Sequence, residues 1–218
     1  MDKQTAAGGG RSDDNHHPDH HQQEGPIEIA LVGDLTDREA ELTDHLLNVP
    51  PGGECTLYID SPGGSPYCAI SLTTIILLRK LRVTGIVTGE CSSATLWPFA
   101  AAERRIVTPY SVLLFHPMKW QSEENVGLAE AAEWARHFGD LETEMDTLLQ
   151  NLLGIPAATL QDWIRPGRYI SGREFAASGL AELIELTGLS QVARRNGAPV
   201  NHGASSGRSP VRKARAQQ

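Results

Sequence analysis

Ile59-Asp60-Ser61-Pro62-Gly63-Gly64-Ser65 is the stretch from which the rest of this chain can be read. It follows an alternating apolar run, Cys55 to Ile59, with the period of a strand. It precedes an apolar-periodic segment, Tyr67 to Leu81, with the character of a helix. Two adjacent glycines therefore stand where a strand turns into a helix. Glycine there lets the backbone come close to a ligand and turn an amide N–H toward it. The positive end of the helix adds to the same field. A backbone donor aimed at developing negative charge is what acyl transfer requires. An ordinary tight turn would use the same residues, so the case rests on what surrounds them.

Upstream, Ile27 to Val32 reads as a short strand and Thr36 to Leu47 as a helix, with Thr36 and Glu39 spaced as a capping box. Pro50-Pro51-Gly52-Gly53 interrupts the chain before the Cys55 strand. Downstream, Val83 to Thr88 is a β-branched strand. Small residues from Gly89 to Thr95 then lead into an apolar helix ending near Ala102. Arg104 to Thr108 and Ser111 to Phe115 form two further strands around Pro109, the second closed by His116-Pro117. This strand–helix rhythm predicts an α/β fold of βαβ units with a largely parallel sheet. Sites in such sheets lie beyond the carboxyl ends of the strands. Three of those ends carry polar candidates: Gly63-Gly64, Ser92-Ser93 and His116.

Gln121 to Leu153 reads as one long helix, with Val126, Leu128, Ala132, Ala135, Leu141, Met145, Leu148 and Leu149 on a broad apolar face. A helix this long exceeds the needs of a small domain and is expected to project as a subunit contact. Ala157 to Ile164 is a short helix, Tyr169 to Ser171 is extended, Gly172 to Ser178 is helical, and Leu180 to Leu186 is a last apolar run.

The 218 residues suit one core-bearing domain, placed at 27–190 between tails at 1–26 and 191–218. The first tail is rich in Gly, Asp, His and Gln and reads as disordered; its His16, His17, His20 and His21 have no scaffold to fix them as metal ligands. From Arg194 onward every charged residue is basic, yet the formal charge is -8, which argues against a general nucleic-acid binder. Cys55, Cys68 and Cys91 are an odd number set in apolar segments, the pattern of buried thiols in a reducing compartment. Neither a spanning apolar run nor a secretory leader is recognisable, so the expectation is a cytoplasmic protein without membrane association, metal or cofactor.

A serine hydroxyl needs an adjacent base, and that base needs an orienting group. Ser93 stands at a strand-to-helix junction among small neighbours, with Ser92 as its rival. The Ala94 amide can pair with that of Gly64 as an oxyanion hole. His116 is the candidate base. Asp162 is the candidate orienting carboxylate.

These residues resemble a known family. Tyr58 to Ser65 is similar to the Y-I-N-S-P-G-G-S segment of ClpP, the proteolytic subunit of the Clp protease, and Gly64 stands the family's distance before Ser93. Gly89-Glu90-Cys91-Ser92-Ser93-Ala94 is similar to G-Q-A-A-S-M, which favours Ser93 over Ser92. Counting from Pro109, Ser111 and His116 fall on P-N-S-x-x-x-x-H. The likeness runs from Ile27 to about Leu186. It implies the ClpP/crotonase fold, a βαβ superhelix in which Gln121 to Leu153 is the handle helix between stacked heptameric rings. It also implies a serine endopeptidase acting on peptides or unfolded proteins through Ser93, His116 and Asp162.

Several departures qualify the resemblance. Thr95 replaces a glycine and is expected to narrow the pocket. Met118-Lys119-Trp120 replaces the Gly-rich stretch that lines substrate. Aligned on Tyr169-Ile170-Ser171, the family's aspartate falls on Trp163, one residue after Asp162. The axial-pore segment is not recognisable in Met1 to Pro26, which argues against a standard partnership with a Clp-type ATPase. An inactive or weakly active ring subunit is the alternative reading. Acyl-CoA chemistry of the crotonase type would not need Ser93 and His116 together.

Overall fold

A computed structural model of the chain describes residues 25–121 and 125–187. Both tails, with His16, His17, His20 and His21 in the first and the basic run in the second, lie outside the described residues except for Gly25 and Pro26. Strand β1 (Ile27–Val32), helix α1 (Leu35–Asn48), β2 (Glu54–Ser61), α2 (Pro66–Leu78) and β3 (Arg82–Ser92) form two successive βαβ units. A 3-10 turn at Ser93–Thr95 leads into α3 (Leu96–Ala100), then β4 (Arg104–Val107) and β5 (Val112–Phe115). The long helix α4 (Leu128–Leu153) is followed by α5 (Ala157–Ile164), β6 (Arg168–Ser171), α6 (Gly172–Ala177) and β7 (Glu182–Leu183).

The sheet runs β1-β2-β3-β4-β7, with β5 against β3 and β6 against β5. All pairings are parallel except β5 with β6. Strand β3 is longer than its sequence suggests. Its first half pairs with β4, Thr84 to Val87 opposite Arg104 to Val107, and its second half with β5, Glu90 to Ser92 opposite Val112 to Leu114. Gly89 and Glu90 look like loop residues, yet they stay extended because Asp60 receives them. A Cβ on Gly89 would collide with the Asp60 carboxylate, which accepts the Glu90 N–H at 3.0 Å. The register with β2 shifts at that point, between Ile59 and Ser61.

The N-cap of α1 is Asp34, whose Oδ1 accepts the Thr36 N–H at 2.8 Å, and not Thr36 as the capping-box spacing predicts. The Thr36 hydroxyl has another partner: it accepts the Ser65 N–H at 2.9 Å. Helices α1, α2 and α3 pack on one another and on the sheet, and all three cysteines are buried there as free thiols. Cys68 Sγ donates to the Leu35 carbonyl at 3.2 Å.

Helix α4 begins at Leu128, later than the predicted Gln121, and spans about 39 Å. Only Met145, Leu149 and Leu153, one turn apart on its last half, are buried. Upstream the expected apolar face is uncovered, with Leu128 89% exposed. Among the described residues, no helix is long and apolar enough to cross a membrane.

Candidate active site

Because β2, β3 and β5 are neighbours running in the same direction, their carboxyl ends lie side by side. The chain leaves β2 through Gly63-Gly64, β3 through Ser93-Ala94 and β5 through His116. Gly64, Ser93, Ala94 and His116 all line one cavity of about 180 Å³. Its walls include Trp97, Phe115, Met145 and Ile164, and three charged residues, Lys119, Glu142 and Asp146, border it. The volume suits a single side chain, since pockets for drug-sized ligands measure roughly 300–1,000 Å³.

The backbone turns sharply at the serine. Ser93 has φ +54, the left-handed region that a non-glycine residue adopts at a cost. Gly63, at φ +110, lies against it: a Cβ there would stand 2.7 Å from Ser93 Cβ and 3.1 Å from the Ala94 nitrogen. Gly64, at φ +147, is held from the other side, where a Cβ would meet Asp34 Oδ1 at 2.6 Å and Thr36 Oγ1 at 2.9 Å. The Leu35 N–H donates to the Gly63 carbonyl at 2.8 Å. The start of α1 thus braces the glycine pair, and the Gly64 N–H has no hydrogen-bond partner among the described residues.

Ser92, the rival nucleophile, is 1% exposed and donates its hydroxyl to Glu90 Oε1 at 2.6 Å, turned away from the cavity. Thr95 does not narrow the pocket as expected. It is fully buried and donates to Ser61 Oγ at 2.8 Å, and that oxygen also accepts the Gly63 N–H at 3.2 Å. The hydroxyl that replaces a family glycine therefore ties the serine turn to the glycine turn.

His116 is half-buried, with Nδ1 2.6 Å from the Pro117 carbonyl oxygen. A carbonyl only accepts, so Nδ1 carries the proton and Nε2 the free lone pair. Ser93 Oγ makes no hydrogen bond among the described residues. Catalytic hydrogen bonds are often long before substrate binds.

Asp162 is not brought to this cavity. On α5 the buried positions are Leu160, Trp163 and Ile164, spaced i, i+3, i+4, which turns Asp162 to the exposed side. Trp163 packs on Phe115 at 5.1 Å between ring centroids, and Ile164 lines the cavity. Asp162 has no hydrogen bond or ion pair among the described residues.

A profile of the Clp protease family matches residues 27–186, most of the chain. The chain belongs to the Clp protease family. It is 31% identical over 137 residues to the ATP-dependent Clp protease proteolytic subunit of Ostreococcus tauri, across 60% of this chain and 66% of that relative. The match thus spans just under two thirds of the curated relative's length. A solved structure of a ClpP1 mutant from Listeria monocytogenes superposes with a TM-score of 0.64 at 19% identity, covering 72% of this chain and 91% of the other. At that identity the likeness establishes the ClpP fold alone. Membership of the Clp protease family supports a protease-type function.

Within this Clp-family frame, two residues near the cavity were not singled out from sequence. Glu142 Oε1 accepts the Met118 N–H at 2.9 Å, and its Oε2 lies 3.6 Å from Arg165. Asp146, one turn further along α4, takes the Gln161 amide at 3.3 Å. Burial pushes the Asp146 carboxyl above its usual range. Against that, the Gln161 bond lowers it, Glu142 raises it further and Arg165 lowers it. The segment after His116, glycine-rich in the family, is pinned to α4 by Met118 and by Trp120, whose ring lies 5.5 Å from Phe138 and 5.9 Å from Trp134. Acidic residues on a long helix read as its solvated face. Only the fold of the 117–121 segment reveals that two of them border a cavity.

Proposed function

We propose that the chain is a serine endopeptidase of the Clp type, with Ser93 as nucleophile and His116 as general base. The observation that carries this reading is that Ser93, His116 and the Gly64 and Ala94 backbone share one cavity although they come from three strand ends. Ser93 Oγ attacks the peptide carbonyl carbon and its proton passes to His116 Nε2. Negative charge then forms on the carbonyl oxygen, within reach of the Gly64 and Ala94 N–H donors. Collapse of the tetrahedral intermediate breaks the C–N bond, and His116 returns the proton to the leaving amine. Water, deprotonated by His116, hydrolyses the resulting ester and frees Ser93.

The orienting role falls to the Pro117 carbonyl. It fixes the required tautomer but offers no full negative charge to the imidazolium, and Asp162 is left out of this reading. Substrates are peptides or unfolded segments. The working form is a homo-oligomer of heptameric rings joined through the uncovered half of α4, so light scattering should give a particle of several hundred kilodaltons. A monodisperse monomer at micromolar concentration would remove the ring.

Labelling with a fluorophosphonate tests the chemistry. Wild-type protein is expected to label, and Ser93→Ala and His116→Ala to abolish labelling. The rival reading is a catalytically silent ring subunit, since among the described residues His116 has the Pro117 carbonyl and no carboxylate as partner. A wild-type chain that stays unlabelled would decide for it.

A further inference from the structure

We infer that the cavity beside Ser93 is a specificity pocket for a basic side chain, lysine or arginine, on the residue that supplies the attacked carbonyl. This inference rests on the peptidase reading above and names its substrate class. Ser93, Gly64 and Ala94 line the cavity, so a carbonyl held at them has its own side chain next to that cavity. The walls are apolar along Trp97, Phe115, Met145 and Ile164, a lining that suits the methylene stem of a long side chain.

Two carboxylates one turn apart on α4, Glu142 and Asp146, also line the cavity. Glu142 is already engaged, by the Met118 N–H and by Arg165. Asp146 has one neutral partner, the Gln161 amide at 3.3 Å, and no ion pair among the described residues. Arg165 acts on it only from a distance and is itself paired with Glu142, so a half-buried carboxylate lacks a contacting cation, and one placed beside it offsets the cost of burial. An apolar occupant would desolvate Asp146 further without a new partner. An acidic one would meet two like charges. Lys119 borders the same cavity from an exposed segment and pairs with neither carboxylate, so it competes with the substrate cation from outside.

The test uses peptidyl aminocoumarin amides identical except for the last residue: arginine, lysine, norleucine or glutamate. The expected kcat/KM for arginine and lysine exceeds that for norleucine by about 10-fold or more, a discrimination within reach of one well-placed polar group. Asp146→Asn is expected to reduce the arginine-to-norleucine ratio by a similar factor. Lys119→Met, at an exposed position, is expected to raise it. Equal or better hydrolysis of norleucine, or a ratio that neither substitution moves, would overturn the pocket while leaving the peptidase reading intact.

A second arm needs no turnover. Benzamidine and its neutral relative benzamide are titrated calorimetrically into the Ser93→Ala chain, with and without Asp146→Asn. Selective benzamidine binding that Asp146→Asn weakens supports the pocket even if no amide is hydrolysed and the peptidase reading fails. No benzamidine binding would overturn it whatever the amides show.

Discussion

The Trp97 indole N–H donates to the main-chain carbonyl of Met145 at 2.9 Å. Trp97 lies four residues after Ser93, on α3, and Met145 is on α4, so this buried bond joins the helix behind the nucleophile to the projecting helix. Both side chains also wall the cavity. The Trp97 side chain is therefore one of the ties between the serine turn and the α4 segment that carries Glu142 and Asp146.

Trp97→Phe removes the donor and part of the ring. The lost hydrogen bond and the reduced packing together are expected to lower stability by about 1–3 kcal/mol. Urea unfolding followed by circular dichroism gives the comparison, and an unchanged midpoint would show that the tie contributes nothing.

Two glycines with similar backbone angles separate strain from contact. Gly33 (φ +84) has open space around its missing Cβ, whereas Gly63 (φ +110) faces Ser93 Cβ. Alanine at either position is strained by about 1–3 kcal/mol. Only Gly63→Ala must also displace the serine turn, so it is expected to slow fluorophosphonate labelling by about 100-fold or more, the order lost when an oxyanion donor is removed. Equal labelling rates in the two variants would contradict the close approach.

Asp162→Asn tests the orienting group. With the Pro117 carbonyl already fixing the tautomer, turnover of a peptide amide is expected to change by less than about 2-fold. Loss of a triad aspartate that sets the tautomer costs about 10⁴-fold. A loss of 100-fold or more would return Asp162 to the mechanism.

Asp146 makes a pH prediction about stability. Its carboxyl is raised in the fold, chiefly by burial, so the native state binds a proton more readily than the unfolded chain does. That raised affinity penalises the native state once pH exceeds the raised value and is without effect below the ordinary carboxylate range, about 3.9. Asp146→Asn is therefore expected to melt above wild type at pH 7, with the gap closing as pH falls below about 4. Gln161, Arg165 and Glu142 act on the Asp146 charge only in the wild type, and their effects are already contained, with burial, in the net raised value that the difference reads. A constant gap from pH 3 to pH 8 would contradict the shift.

Alternation in Cys55 to Ile59 and the β-branched run at Val83 were enough to read a parallel α/β sheet, because those patterns follow from local burial. Gly89 and Glu90 were not legible as strand: their extended conformation depends on Asp60 and on pairing with Val112 to Leu114. The glycine turn, Ser93 and His116 were visible as strand ends, and parallel neighbours bring such ends together. The placement of Asp162 was not legible, because the side of α5 it takes depends on which residues form the buried stripe, here Leu160, Trp163 and Ile164. The expected start of the long helix, Gln121, lay too far upstream of Leu128, since apolar spacing alone does not mark where a helix begins.

Thiol chemistry offers a separate use of this fold. Cys55, Cys68 and Cys91 sit within β2, α2 and β3, and burial raises the thiols of Cys55 and Cys68 to about 11 and that of Cys91 well above its ordinary value. A thiolate forms readily only when the surrounding layer opens. Alkylation kinetics resolved by peptide mass would thus time the local breathing of three adjoining elements in the unmodified chain, with no engineered reporter.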